Sequence, residues 1–296
     1  MLHFFIINPR WGRKRAGGSI AGLEAALRQR NLNYRLAISE KPGHATELAR
    51  HAVAEGAGAV IAVGGDGTVN EVLNGLSGAA TLGIVPVGTC NDIARNLGLP
   101  AGDWRAALDV IAAGHVKHVD AARCGDKRFL SVAGMGLDSR VAASFQRLPR
   151  FARFRATYVL LLLKSLLTQR PSPFRLVADG KTIAQEAWLV AVANTEAYGG
   201  GMRIAPGARP DDGRLHVCIV GPIPRLEFVR WFPRVYRGAH LAHPMFRHIE
   251  ARSVEISNPR PTPITADGEP FGWLPATFAI EPKAVAVFGS PDRTAE

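Results

Sequence analysis

The sequence predicts an α/β domain followed by a strand-rich domain. Three observations carry this. Short β-rich apolar runs alternate with helical patterns over about the first 120 residues. After Val119 the alternation gives way to successive strand-like runs. Those later runs are punctuated by Asp-Gly dipeptides, the residues that tight connections prefer.

In the first part, Leu2 to Ile7 reads as a strand, and Ile20 to Gln29 as a helix entered through Ser19. Tyr34 to Ile38 is strand-like, Ala45 to Glu55 helical, Val60 to Val63 strand-like and Val69 to Leu76 helical. Leu82 to Val85 is another strand, followed by a short helix, Asp92 to Leu97, stopped by Gly98 and Pro100. This βαβ order implies a parallel sheet covered by helices. In the second part Phe129 to Ala133, Phe174 to Ala178, Trp188 to Ala193, Leu215 to Val220, Val254 to Ile256, Thr277 to Ile280 and Ala284 to Phe288 read as strands. Asp179-Gly180, Asp212-Gly213 and Asp267-Gly268 mark tight turns, and Arg153 to Leu167 and Leu226 to Tyr236 are helical interruptions.

Bulk properties narrow the function. A formal charge of +11 and a pI near 10.2 favour polyanionic partners. Arginine and lysine gather at Arg10 to Arg15, Arg147 to Arg155 and Arg225 to Arg237, each near apolar residues, which reads as a solvated basic face or a surface for acidic lipid headgroups. No nucleic-acid recognition motif accompanies the charge, so nucleic acid is not an expected partner. Cys90, Cys124 and Cys218 are widely spaced and fit reduced thiols in a cytoplasmic protein. Ala156 to Leu167 is the best candidate span, but Lys164 interrupts it and it falls short of the roughly 20 apolar residues a bilayer requires.

The chemistry concentrates in two loops. Val63-Gly64-Gly65-Asp66-Gly67-Thr68-Val69-Asn70-Glu71 runs from an apolar strand into a glycine-rich turn and a helix, where backbone N–H groups and the helix start suit a phosphate. The glycines are expected to supply positive φ and close approach. Asp66 would repel a phosphate, which suggests a hydrogen-bonding or Mg²⁺-related role. No lysine follows, so this is not a Walker A loop, and the spacing is not that of a dinucleotide fold. Pro86-Val87-Gly88-Thr89-Cys90-Asn91-Asp92 repeats the arrangement at the same sheet edge, where open α/β sheets bind ligands.

These two loops, together with Asn8-Pro9 and Gly12 after the first strand and the late Asp267-Gly268-Glu269, resemble the diacylglycerol kinase-like lipid kinases, which include bacterial lipid kinases and the catalytic regions of sphingosine and ceramide kinases. Ala193-Asn194 through Gly199-Gly200-Gly201-Met202 to Asp211-Asp212-Gly213 is similar to that family's second-domain signature. The resemblance implies a doubly wound α/β domain of the NAD kinase/diacylglycerol kinase type over residues 1–122. It implies an antiparallel β-sandwich over 123–296, whose last strand returns to the first domain. It also implies ATP-dependent, Mg²⁺-dependent phosphorylation of a lipid hydroxyl, diacylglycerol-like or sphingoid-like, by a cytoplasmic enzyme peripherally bound to an anionic membrane, and it leaves a homodimer open.

Residue by residue, the resemblance assigns nucleotide contacts to Asn8, Pro9, Gly12, Ser39, Gly64 to Glu71, Gly88, Thr89, Asn91 and Asp92. It places Asp92 and Asp120 near a catalytic metal, and a structural Mg²⁺ at Asp212 with backbone oxygens near Arg209 and Arg214. The catalytic base is then Asp267, with Glu269 as the alternative. Taken alone, Asp267-Gly268 reads as a plain hairpin turn, and Asp211-Asp212-Gly213 as either a turn or that Mg²⁺ site. Arg10, Trp11 and Cys90 depart from the small residues the family favours. Leu160 to Leu163, with Phe228, Trp231, Phe232 and Tyr236, read as core packing, an acyl pocket or an interfacial stripe. NAD kinase, which shares the Gly-Gly-Asp-Gly turn, and an inactive nucleotide-binding or membrane-docking protein are the competing functions.

Overall fold

The computed structural model describes residues 1–11, 19–78, 80–149, 152 and 155–290. They form two compact units, Met1–Asp120 with the C-terminal segment from Lys283, and Ala121–Pro282.

The first unit is built on β1 (His3–Ile7), β2 (Tyr34–Ile38), β3 (Ala59–Gly64) and β4 (Thr81–Pro86), parallel in the order β2-β1-β3-β4. The core strands β1 and β3 are buried along their whole length, as a sheet covered on both faces requires. Helices α1 (Ile20–Gln29), α2 (His44–Ala54), α3 (Asp66–Leu73), α4 (Asp92–Asn96) and α5 (Trp104–Ala113) complete it. Ser19 caps α1 as expected, its hydroxyl accepting from the Gly22 N–H at 3.0 Å. Helix α5 was not anticipated, although Asp103 caps it through the Arg105 and Ala106 N–H groups and Trp104, Ala107, Leu108 and Ile111 bury one face. Trp11 packs edge-on against Trp104 in the same core, which accounts for a large residue where small ones are usual.

The second unit has two antiparallel sheets. One follows the order β12 (Phe246–Ala251), β11 (Leu215–Val220), β10 (Leu189–Ala193), β7 (Val132–Gly136), β14 (Pro263–Ala266), β15 (Glu269–Trp273). The other joins β9 (Lys181–Ala187), β8 (Ser172–Ala178), β13 (Ser253–Ser257) and the first residues of β16 (Ala276–Phe288), with β5 (Val116–Cys124) and β6 (Lys127–Phe129) paired beside it. A core including Met135, Val192, Ile219, Leu176, Ile256 and Phe278 draws on both sheets, as in a β-sandwich. The opposite face of the first sheet is covered by α6 (Leu137–Arg147), α7 (Arg155–Thr168) and α8 (Arg225–Trp231).

Three expectations are corrected. The strands anticipated at Thr277 to Ile280 and Ala284 to Phe288 are one, β16, whose Val287 pairs with Leu82 of β4 and so returns the chain to the first unit. Helix α3 begins at Asp66 instead of Val69, because Gly65 is its N-cap and the glycine-rich motif supplies its first turn. Asp212-Gly213 does not join two strands: Gly213 has φ +71°, but β10 ends at Ala193 and β11 starts only at Leu215. Asp179-Gly180 and Asp267-Gly268 do make hairpin turns, with positive φ at all four residues.

Candidate active site

In the first unit the sheet order reverses direction between β1 and β3, so the loops leaving those strands form the topological switch point where such sheets bind ligands. Asn8 spans it. Its amide donates to Thr68 Oγ1 at 3.0 Å, its Oδ1 accepts from the Arg10 N–H at 3.1 Å, and its own N–H reaches the Val63 carbonyl. Pro9 lies in this exposed turn, Gly12 falls outside the described residues, and Ser39 is buried at the end of β2 with its N–H on the Ile7 carbonyl.

The two glycine-rich loops touch. None of Gly64, Gly65, Gly67 and Gly88 has positive φ; the motif needs glycine for proximity instead. A Cβ on Gly88 would lie 2.4 Å from the Gly65 Cα, and one on Gly64 would lie 2.3 Å from Thr68 Oγ1. The residue that does take the left-handed conformation is Asn91, φ +53°, ahead of α4. Its Oδ1 accepts from the Gly88 N–H, and its amide donates to the carbonyls of Gly88 and Ala101. Asn91 therefore shapes the second loop, leaving Gly88 and Thr89 exposed at its tip.

Asp66 links the loops further, its carboxylate accepting the Ile93 N–H at 2.9 Å in the first turn of α4. Burial raises the Asp66 pKa above the ordinary carboxylate range, and the negative charge of Asp92 adds to the rise against the backbone N–H bonds that oppose it. Of the remaining motif residues, Val69 is buried in the core and Asn70 is buried with its carbonyl accepting the Asn74 amide. Glu71 accepts the Ala45 N–H in the first turn of α2.

Mg²⁺ needs one or two carboxylates besides phosphate oxygens and water. Asp66 and Asp92 fit that demand, because two neighbouring acids in a half-dry setting raise a pKa that a cation would lower. Asp120 is buried elsewhere in the unit and accepts the Lys283 N–H at 2.7 Å, holding β16 where Lys283 takes φ +51°. Among the described residues, no group of three or more His, Cys, Asp or Glu is arranged to hold a metal.

The raised pKa of Asp66 has a stability consequence. A carboxyl whose folded pKa lies above its unfolded value contributes fully below the unfolded pKa, and that contribution is lost as pH rises through the folded one. At neutral pH without Mg²⁺ the Asp66 charge is thus a penalty. Asp66→Asn keeps an acceptor for Ile93 and is expected to raise Tm at pH 8 more than at pH 4. Added Mg²⁺ should raise the Tm of the wild type but not of the variant. Thermal melts at the two pH values, with and without Mg²⁺, decide this, and a variant less stable than the wild type at pH 8 contradicts it.

In the second unit Asp267 has φ +49° and is 6% exposed at the β14–β15 turn. Its two carboxylate oxygens accept the Leu130 and Ser131 N–H groups at 3.0 and 2.8 Å, so the acid is held in one orientation. Glu269, two residues on, is exposed. Sequence reading missed the residues that surround this acid. Ser131 Oγ donates to the Ala197 carbonyl, Thr195 Oγ1 donates to Ser131 Oγ, and the Asn194 amide donates to the Leu130 carbonyl. Only the position of Asn194 in the second-domain signature hinted at them.

Asp212 accepts three N–H donors, from the backbones of Arg209 and Arg214 and from the His216 ring, at 2.9 to 3.0 Å. The Arg209 guanidinium pairs with Asp211 and that of Arg214 with Glu250. His216 in turn meets the His248 ring at 2.9 Å.

The second unit also holds an apolar cavity of about 50 Å³. Phe228, Trp231, Phe232, Val235, Leu162 and Met202 line it, together with the polar side chains of Asp138, Tyr198 and His240. His240 is 1% exposed; Nε2 contacts the Ile204 carbonyl, Nδ1 has no partner, and burial lowers its pKa.

Comparison with known proteins agrees with this geometry. Residues 3–124 match the diacylglycerol kinase catalytic domain, and residues 131–289 match the YegS C-terminal NAD kinase beta sandwich-like domain. The chain is 35% identical over 289 residues to a diacylglycerol kinase of Mycobacterium tuberculosis (strain CDC 1551 / Oshkosh), covering 95% of this chain and 93% of that protein. It is 30% identical over 276 residues to one of Bacillus subtilis (strain 168), covering 92% and 91%. A crystal structure from Bacillus anthracis str. Sterne, with a provisional diacylglycerol kinase assignment, superposes with TM-score 0.79 at 27% identity, over 98% of this chain and 95% of that one. An NAD kinase of Archaeoglobus fulgidus crystallised with ATP shares the fold, with TM-score 0.57 at 15% identity over 97% and 93%.

Proposed function

Belonging to the diacylglycerol kinase family, this chain is a kinase with an alcohol acceptor, and we propose that it transfers the γ-phosphoryl group of ATP to the hydroxyl of a diacylglycerol-type lipid at a membrane surface. The observation that carries the lipid reading is the likeness over nearly the whole chain to proteins named diacylglycerol kinase. The apolar side chains Phe228, Trp231, Phe232 and Val235 of the second unit suit an apolar acceptor better than a nucleotide.

Register supports the same reading. Asp267 donates its N–H to the Val132 carbonyl at one end of β7, while the cavity residues Leu189, Val220 and Phe246 lie in the row of Gly136 at the other end. Four residues at about 3.3 Å each separate the two by roughly 13 Å, a span suited to a long, chain-bearing acceptor.

In phosphoryl transfer the protein mainly positions groups and neutralises charge. We assign the nucleotide half of that work to the first unit. Backbone N–H groups of Gly65 and Gly67 at the start of α3 would hold phosphate oxygens, with Gly88 and Thr89 offering a second loop to the same ligand. Asp66 and Asp92 would hold Mg²⁺, which would supply positive charge to offset that of the phosphates. The acceptor half falls to Asp267, whose oriented carboxylate would take the hydroxyl proton, with exposed Glu269 as the alternative base.

The test is transfer of labelled phosphate from ATP across a panel of lipid alcohols and NAD. Labelling of diacylglycerol above the sphingoid and polar acceptors is expected. Labelling of NAD with none of any lipid overturns the reading.

A further inference from the structure

Helix α8 has apolar side chains on both faces. Phe228 is buried and lines the cavity with Trp231, while Leu226 is 85% exposed and Val229 is 42% exposed. An internal helix would have no exposed leucine at that level, and an ordinary surface helix would carry polar residues there. The neighbouring α7 repeats the pattern. Leu162 and Leu166 are buried, whereas Leu167 is 72% exposed. The two helices are joined by Arg225, whose guanidinium donates to the carbonyls of Leu166 and Gln169, so Leu226 and Leu167 flank one clamp.

The charge on these segments is mostly of one sign. Segments 155–170 and 222–247 contain Glu227 as their only acidic residue. Glu227 is itself engaged by the His243 ring at 2.9 Å. Lys164, Arg170, Arg230 and Arg237 are exposed, and Arg234 lies over the Trp231 ring at 4.3 Å. Exposed leucine and valine on segments rich in arginine and lysine match a surface whose outer layer is anionic and whose interior is hydrocarbon. Among the described residues no helix is long and apolar enough to cross a membrane, so this surface would rest on the bilayer and not span it.

We propose that the outer face of α8, with Leu167 of α7, docks on an anionic bilayer. The proposal rests on the lipid-acceptor reading and adds the surface that meets the membrane. Docking by Leu226 and Val229 brings Phe228 and Trp231, one residue or two away on the same short helix, to the headgroup boundary.

The test combines sedimentation with two forms of acceptor, using the full chain and the double variant Leu226→Asp, Val229→Asp. Both side chains are exposed and neither lines the cavity, so the variant is expected to melt with the wild type. Wild type should sediment with vesicles of phosphatidylcholine containing phosphatidylglycerol, not with phosphatidylcholine alone, and be released by high salt. The variant should lose at least tenfold in vesicle binding and in phosphorylation of vesicle-embedded diacylglycerol. Its activity on a short-chain, monomeric diacylglycerol should be unchanged. Wild type that ignores anionic vesicles, or a variant that binds them as well as wild type does, overturns the docking surface. If neither form of lipid is phosphorylated by the wild type, the function reading fails while sedimentation still judges the surface.

Discussion

Asp267→Asn is expected to lower kcat by about 10²- to 10⁴-fold, the usual worth of a positioned general base, while ATP affinity stays near the wild-type value. Asparagine tolerates the left-handed conformation that this residue holds at φ +49°, so the β14–β15 turn survives the exchange. The side chain does not. Asparagine has a single acceptor oxygen, and its amide nitrogen would turn a donor toward either the Leu130 or the Ser131 N–H. A loss of about 1–3 kcal/mol in stability should therefore accompany the loss of rate. Steady-state kinetics on a dispersed lipid acceptor, with a melting curve and an ATP titration on the same preparation, separates the effects. A folded variant with wild-type kcat removes Asp267 as the base and leaves it as a turn residue.

Gly88→Ala should weaken ATP binding by about 10- to 100-fold, the equivalent of 1–3 kcal/mol of overpacking strain. The added Cβ would sit 2.4 Å from the Gly65 Cα and 2.8 Å from Asn91 Oδ1. A backbone atom on one side and a side chain held by four hydrogen bonds on the other leave no soft neighbour to yield. The phosphate-facing loop must move. Gly102→Ala is the matching control, since nothing lies within 4 Å of its Cβ position and its φ is ordinary. Calorimetric titration with ATP should separate the two variants, and equal affinities would show that contact between the loops is irrelevant to nucleotide binding.

Much of the first unit was legible because its signals are local. Ser19 ahead of an apolar helical pattern, Gly98 and Pro100 behind a short one, and the apolar strands β1, β3 and β4 each announce themselves within a few residues. Helix α5 carried the same kind of signal in Asp103 and the Trp104, Ala107, Leu108, Ile111 spacing, and was passed over because no chemistry-bearing motif adjoins it. Of the two reasons expected for the glycines of the first loop, positive φ and close approach, the first does not hold. Left-handed backbone is the commoner need for glycine, and only a long-range contact with Gly88 reveals that proximity is the need here.

The sequence by itself determined the alternation of strands and helices over about the first 100 residues, the two phosphate-suited loops and the acids worth watching, because propensity, capping and turn chemistry act over a handful of neighbouring residues. Tertiary structure decided what each acid is tied to. Asp66 is bound to α4, Asp120 to Lys283, Asp212 to His216 and Asp267 to the start of β7, over separations of 4 to 163 residues. It also decided which leucines of α7 and α8 are buried and which meet solvent. Both are properties of surfaces brought together by folding, and a one-dimensional pattern encodes the face of an element without naming what will cover it.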